Sequence, residues 1–338
     1  MGNVSMDISL ANIWQSWYRF CRGKRKTKEL EIFQYFLEEN LQQLHRDLEN
    51  KTYAHGDYKK FIVNENKKRE ISVASIKDRV LHRLVYEYLV EIYDRTFIFD
   101  AWSCRKNKGL VGAIERTQKF LKEYSNSYVW RSDISKFFDS VNQEILLKII
   151  YRKISDENTR KLIKEIIDSY QTNSEAQIER ERERERESKC ASPKGIPIGN
   201  LTSQIFANIY LNEFDRFAKH VLKPQAYLRY GDDFIFIELN RDVLTSKRET
   251  AIKFLSEKLK LEINSKNDIL TKVKSGLHFL GVEVFPKGRK LKNRNWKRAQ
   301  DRLNSQNAAS YDGLIKKHCN AKKKKHFNWI IFNHQDEI

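Results

Sequence analysis

The chain has 338 residues, a formal net charge of +19, 40% hydrophobic residues and 12% aromatic residues. This composition excludes an intrinsically disordered protein and predicts a folded chain that is long enough for two or three domains. So large a positive charge favours a polyanionic partner, most commonly nucleic acid, over a basic surface that serves solubility alone. From Arg241 onward there are 23 Lys or Arg and 10 Asp or Glu, which predicts one face or domain that holds phosphates.

The chain shows no pattern typical of export or membrane insertion. The cysteines Cys21, Cys104, Cys190 and Cys319 lack the paired spacing of metal ligands, so we expect free thiols in a reducing compartment. No apolar run reaches the roughly 18 residues of a membrane span, and no N-terminal stretch resembles a signal peptide. We therefore expect a cytoplasmic protein without a membrane partner.

Hydrophobic periodicity predicts a helical N-terminal half with one hairpin. Apolar residues fall on a single helical stripe across residues 30–48. Residues 61–63 and 70–73 flank a charged turn and predict a short hairpin. Helices are expected at residues 77–93 and 109–124.

The second half of the chain alternates strands and helices. Strands are expected at 128–133, 268–274 and 277–285, a hairpin at 227–238, and helices from 142 and at 157–170, 203–220 and 245–260. The basic last fifty residues are expected to be helical. This order predicts an α+β fold with an antiparallel sheet floored by helices.

The segment Glu179 to Glu187 alternates Glu and Arg and buries nothing as either a strand or a helix. It is read as a solvated insertion spanning about residues 172–192, with template binding as the alternative.

Three carboxylates stand beside apolar strands. Asp133 closes the strand from Tyr128, and Asp232 and Asp233 form the tip of the predicted hairpin. Such carboxylates repel one another and are costly to desolvate, and a divalent cation removes both penalties. Asp is also a common turn residue, so the pair at the hairpin tip is explained equally well by a turn.

The surrounding sequence resembles reverse transcriptases in six ordered blocks across roughly residues 55–290. They are Lys77-Asp78-Arg79-Val80, Ser103 to Gly109, Asp133 to Ser140, Gly195 to Gln204, Tyr230-Gly231-Asp232-Asp233 and His278-Phe279-Leu280-Gly281. The fifth block resembles the Tyr-x-Asp-Asp motif of that family. The segment Ile198 to Gln204 resembles the same segment in the enzymes of diversity-generating retroelements. Most reverse transcriptases carry Gln-Gly-x-x-x-Ser-Pro at these positions.

The resemblance implies a right-hand polymerase that copies RNA into DNA by two-metal-ion nucleotidyl transfer. Residues 1–125 would form the N-terminal helical region and fingers, and residues 126–245 the palm. Residues 246–338 would complete the palm and add a primer-grip hairpin and a basic helical thumb. It also implies error-prone copying and a bacterial or phage-encoded protein.

The resemblance also assigns roles to single residues. Two Mg²⁺ ions, replaceable by Mn²⁺, would be held by Asp133, Asp232, Asp233 and the carbonyl of Ile134. Lys266 is a candidate general acid, although the family's lysine lies one residue later, where this chain has Asn267.

Nucleotide contacts are implied for five residues, and three of them have an alternative role: packing for Phe138 and Ile198, and a solvated charge for Arg69. They are Arg69, Phe138 as a steric gate against ribose, Ile198, Gly199 and Gln204.

Primer and template contacts are implied for a second set. They are Tyr230, Phe279, Leu280, Gly281, Lys322, Lys323, Lys324 and Lys325. The implied partners are template RNA, the RNA/DNA primer-template duplex, dNTPs and a small basic accessory protein. A group II intron-like or phage-defence reverse transcriptase, and a non-catalytic RNA-binding protein with a polymerase fold, remain alternatives.

Overall fold

A computed structural model describes residues 5–64, 68–170, 193–304, 307–319 and 321–333. The α-helices in this part of the chain are α1 (Leu10–Cys21), α2 (Lys28–Tyr35), α3 (Leu37–Glu49), α4 (Ile76–Tyr93), α5 (Leu110–Glu123), α6 (Phe137–Ser140), α7 (Gln143–Tyr151), α8 (Glu157–Asp168), α9 (Leu201–Phe217), α10 (Arg241–Leu259), α11 (Asn293–Asp301), α12 (Ala308–His318) and α13 (Ala321–Asn333). The strands are β1 (Lys59–Asn64), β2 (Lys68–Val73), β3 (Tyr128–Ser132), β4 (Ala226–Tyr230), β5 (Asp233–Glu238), β6 (Ile269–Lys272), β7 (Leu277–Phe279), β8 (Val282–Phe285) and β9 (Gly288–Leu291).

The chain divides into two compact units. The first unit comprises Met1–Ile98, Ile134–Phe217 and Ile252–Glu262. The second unit comprises Phe99–Asp133, Ala218–Ala251 and Ile263–Ile338. Both units are therefore assembled from segments that are distant in sequence.

The first unit is a helical body with one hairpin. Helix α4 is its centre and packs against α1 and α9. The hydroxyl of Ser75 caps α4 by accepting a hydrogen bond from the backbone N–H of Asp78. Strands β1 and β2 pair antiparallel, with Val63 opposite Arg69.

The second unit is built on two antiparallel sheets. The larger sheet has the strand order β4-β5-β3-β6, and the smaller has the order β7-β8-β9. Successive side chains of a strand point to opposite faces of the sheet. In the larger sheet both of these faces carry apolar side chains. On one face Trp130 packs edge-on against Phe234 and at a tilt against Phe236, whereas Val129 and Ile235 on the other face belong to the buried core.

The structure confirms the predicted α+β class, the antiparallel sheet and the hairpin of β1 and β2. The single helical stripe over residues 30–48 is two helices, because the chain breaks at Phe36, which has φ −103° and ψ 34°. The basic C-terminal part begins with β9 before its three helices. The charged insertion lies outside the described residues. None of the described helices is long and apolar enough to cross a membrane.

Candidate active site

The large sheet of the second unit brings the three aspartates to one end of its central strands. Ser132, the last residue of β3, pairs with Phe234 of β5, so Asp133 directly follows the last pair and Asp233 directly precedes it. Asp232 lies in the turn between β4 and β5, next to Gly231, whose φ of +64° makes this tight turn possible.

The two oxygens of Asp133 have different surroundings. Its Oδ2 accepts hydrogen bonds from the side-chain amides of Asn267 at 3.0 Å and Asn264 at 3.4 Å. Its Oδ1 is buried and has no hydrogen-bond partner among the described residues. A buried carboxylate oxygen without a donor is costly, and the cost disappears when a cation binds it.

Asp233 is partly neutralised within the same unit. The guanidinium of Arg131, on β3, donates a hydrogen bond from Nη2 to Oδ1 of Asp233 at 3.0 Å. Because Arg131 already balances this carboxylate, Asp233 has less need of a cation than Asp133.

The chemistry of this end of the sheet fits a hard divalent cation, because the donors are carboxylate oxygens and Asp133 Oδ1 lacks a partner. No group of three or more His, Cys, Asp or Glu in the described part of the chain has the spacing of a preformed metal site. The fit therefore rests on donor type and on the unsatisfied oxygen.

Lys266 and Asn267 lie in a short turn, Ser265–Asn267, just before β6. The side chain of Lys266 is exposed, whereas that of Asn267 reaches Asp133. Lys266 was expected at the site from the sequence, whereas Asn264 and Asn267 were not, since nothing local distinguishes them from ordinary turn residues.

The predicted nucleotide turn lies in the first unit, packed on β2. The backbone N–H of Ser72 donates to the carbonyl of Ile198 at 2.9 Å, and the buried Asn200 donates from Nδ2 to the carbonyl of Ser72 at 2.7 Å. A Cβ on Gly199 would lie 2.8 Å from Ile71 Cγ2, and its φ is +121°. Only glycine fits this position without strain.

Phe138 is tied to the same turn. The carbonyl of Phe138 accepts a hydrogen bond from the N–H of Ile196 at 2.8 Å, and its half-buried ring packs edge-on against Phe137. Backbone hydrogen bonds thus connect Phe138 to the turn that carries Ile198 and Gly199. Arg69 lies on β2, three residues before Ser72, and its side chain is exposed.

Gln204 opens onto a basic cavity of about 240 Å³ in the first unit. Its lining contains no acidic side chain and includes four cationic ones, from Arg22, Lys24, Arg79 and Arg83. Burial, together with the charges of Arg79 and Arg83, lowers the pKa of Lys24 below its usual value. Such crowding of like charges favours an anionic ligand. Arg79 belongs to one of the six sequence blocks, whereas no sequence pattern marked Arg22, Lys24 or Arg83.

The predicted primer-contacting residues divide into buried and exposed sets within the second unit. Phe279 is 1% exposed and belongs to the hydrophobic core, so we assign its ring to packing rather than to primer contact. Leu280 and Gly281 form the turn between β7 and β8, with φ of +49° and +82°, and Tyr230 is half-buried against the same core.

The lysine run lies at the start of α13. Lys322 and Lys325 are exposed, and Lys323 packs its ammonium over the ring of Trp296 at 4.9 Å. The exposed Lys322 and Lys325 thus direct their charges at solvent, whereas the charge of Lys323 lies against an aromatic ring.

Residues 56–284 match the family described as reverse transcriptase (RNA-dependent DNA polymerase). The chain belongs to this family. Protein YkfC of Escherichia coli K12 is 24% identical over 259 residues, covering 66% of this chain and 65% of its own. Group II intron-encoded protein LtrA of Lactococcus lactis is 21% identical over 316 residues, covering 74% of this chain and 50% of its own.

Among solved structures, telomerase from Candida tropicalis is similar with a TM-score of 0.49 and 14% identity, covering 82% of this chain and 57% of that chain. Telomerase from Candida albicans, solved with a telomeric RNA fragment, has a TM-score of 0.47 and 11% identity, covering 72% and 47%. The chain spans between about half and two thirds of the length of the two curated relatives named above.

Proposed function

We propose that this chain is an active RNA-directed DNA polymerase that copies a template RNA into cDNA. The observation that carries the proposal is the end of the large sheet. There β3 leads into Asp133 and β5 begins at Asp233, beside a turn that holds Asp232, and Asp133 Oδ1 is buried without a donor among the described residues.

In this proposal Asp133, Asp232, Asp233 and the carbonyl of Ile134 would hold Mg²⁺ or Mn²⁺, and the bound cations would supply activation of the primer 3′ oxygen and charge neutralisation at the leaving pyrophosphate. Asp133 and Asp232 are the principal ligands in this proposal. Asp233 ranks third, because Arg131 already satisfies one of its oxygens. Lys266 remains the candidate proton donor to pyrophosphate. Its side chain is exposed, so its ammonium is accessible to a bound nucleotide.

The first unit supplies the nucleotide contacts in this proposal. Arg69 binds the triphosphate through its exposed guanidinium, whose fork geometry suits phosphate. Gly199 lets the backbone of the turn approach the incoming dNTP, and Phe138 excludes a ribose 2′-OH. The basic cavity beside Gln204 takes template phosphates.

Primer and duplex contacts are proposed for the second unit. Tyr230, Leu280 and Gly281 support the primer strand, and the lysines of α13 bind the duplex backbone by salt-dependent contacts.

The proposal is tested by extending a DNA primer annealed to an RNA template with dNTPs and Mg²⁺. We expect cDNA synthesis that stops when the metal is chelated. Ribonucleotides should not support extension. Phe138→Ala should admit ribonucleotides while extension with dNTPs persists. Tight RNA binding without extension would instead indicate an RNA-binding protein with a polymerase fold.

We further propose that the enzyme is error-prone and serves a diversity-generating retroelement, on the basis of the Ile198 to Gln204 sequence. The similarity to LtrA favours a group II intron-like enzyme as the second candidate, and a phage-defence enzyme is a third. The neighbouring genes distinguish these three candidates, because a diversity-generating retroelement requires a template repeat and a variable target gene beside the polymerase. A small basic accessory protein encoded there would be a further partner.

A further inference from the structure

The central strand β3 leads Asp133 into a position between two neighbouring strands. On one side its register continues toward Asp233, and on the other β3 pairs with β6 so that Arg131 lies opposite Ile269. Asn267 precedes Ile269 by two residues, in the turn Ser265–Asn267 that leads into β6. The amide of Asn267 donates to Asp133 Oδ2 at 3.0 Å.

The turn that carries Asn267 is fixed by its own hydrogen bonds. The backbone N–H of Asn264 donates to the carbonyl of Asp133, and the N–H of Asn267 donates to the carbonyl of Asn264, both at 2.9 Å. The side chain of Asn264 also accepts from the N–H of Lys266 at 3.2 Å. The Asn267 amide is thus held in place independently of any ligand.

The residue after the turn is anchored as well. Asp268 Oδ1 accepts from Trp130 Nε1 at 2.7 Å and from Arg248 Nε at 3.0 Å. Although burial opposes it, the hydrogen bonds from Arg248 and Trp130 lower the pKa of Asp268 below its ordinary value. This half-buried ionic anchor leaves the turn little freedom to shift along β3.

We propose that Asn267 is a positioning residue that occupies Oδ2 of Asp133 and so directs the unsatisfied Oδ1 toward the cation. The inference rests on the proposed function. An amide suits this role because it donates a hydrogen bond without adding positive charge beside the cation. A lysine at this position would occupy the same oxygen but would also repel the ion.

The test measures Mn²⁺ binding to the full chain, without nucleic acid or nucleotide, by electron paramagnetic resonance. Asn267→Ala removes the shorter of the two amide hydrogen bonds to Oδ2 and leaves only the 3.4 Å contact from Asn264, and we expect the Mn²⁺ dissociation constant to rise about 10-fold. Asn267→Lys should raise it further. Ser265→Ala, an exposed residue of the same turn, is the matched control and should bind as the wild type does.

A second readout is the Mg²⁺ dependence of primer extension. Asn267→Ala should move its midpoint to higher Mg²⁺, and saturating Mg²⁺ should restore most of the rate. A purely structural role predicts a lower melting temperature and a reduced rate at every Mg²⁺ concentration, with an unchanged midpoint. If Asn267→Ala fails to fold, the near-isosteric Asn267→Leu is measured in its place.

Unchanged Mn²⁺ affinity and an unchanged Mg²⁺ midpoint in the folded variant would overturn the role of Asn267, while wild-type extension would leave the proposed function standing. A wild-type chain that neither binds Mn²⁺ nor extends a primer would overturn both.

Discussion

Replacing Gly199 by alanine tests whether the nucleotide turn is packed on β2 as described. The backbone φ of +121° is unfavourable for any residue with a Cβ and costs about 1–3 kcal/mol. The added Cβ would also approach Ile71 Cγ2 to 2.8 Å and the carbonyl oxygen of Ser72 to 3.2 Å. Overpacking of this kind costs about 1–3 kcal/mol more. We therefore expect Gly199→Ala to lower the free energy of unfolding by about 2–6 kcal/mol.

The same substitution should affect nucleotide use. Relief of the clash moves the turn away from β2 and weakens the hydrogen bond from Ser72 N–H to the Ile198 carbonyl. The loss of one such bond is worth about 1 kcal/mol, so the KM for dNTP should rise by roughly fivefold or more. Urea denaturation measures the stability, and steady-state primer extension measures the KM.

Gly23→Ala is the matched control for this experiment. Gly23 also has a positive φ, of +74°, but a Cβ there would meet nothing within 4 Å. It should cost only the conformational part, about 1–2 kcal/mol, and leave the KM unchanged. A Gly199→Ala protein with wild-type stability and KM would refute the packing of the turn.

Three other perturbations follow from single features of the molecule. Burial, aided by the nearby His55, lowers the pKa of His82 from 6.5 to about 3. Below about pH 6.5 His82 is protonated in the unfolded chain but stays neutral in the folded chain. The free energy of unfolding should therefore fall by about 1.4 kcal/mol per pH unit down to about pH 3. Urea titrations from pH 7 to 4.5 should show this component missing in His82→Gln, and an equal slope in both proteins would contradict it. Ile198→Gln should reduce misincorporation, particularly opposite template adenine, by roughly fivefold, because an amide can hydrogen-bond the sugar where isoleucine cannot. Sequenced cDNA with equal errors from both enzymes would leave Ile198 as a packing residue. Changing Lys322 to Lys325 to glutamine should flatten the dependence of log RNA affinity on log salt, and an unchanged slope would show that α13 does not contact phosphates.

Local patterns were sufficient for the elements that carry the carboxylates. The apolar runs on either side of Gly231-Asp232-Asp233 became β4 and β5, and the strand ending at Asp133 became β3. The α+β class followed from the order of these elements. Period-two alternation and turn residues are local properties, and sequence reveals them directly.

Features made by residues distant in sequence were not predicted. Asn267 donates to a carboxylate 134 positions earlier, and the basic cavity combines Arg22 and Lys24 with residues as far along as Gln204. Phe279 was expected at the primer because of its motif, but its place in β7 turns the ring into the core. Motif matching identifies positions, whereas tertiary packing decides which side chains face solvent.

The central claim is tested most directly by RNA-templated primer extension with Asp232→Asn. This change removes one carboxylate charge and almost no volume, so RNA binding should stay close to wild type while cDNA synthesis is abolished. Asp242→Asn, the same change at an exposed position of α10, should retain full activity. Extension by Asp232→Asn within a few-fold of the wild-type rate would contradict the account.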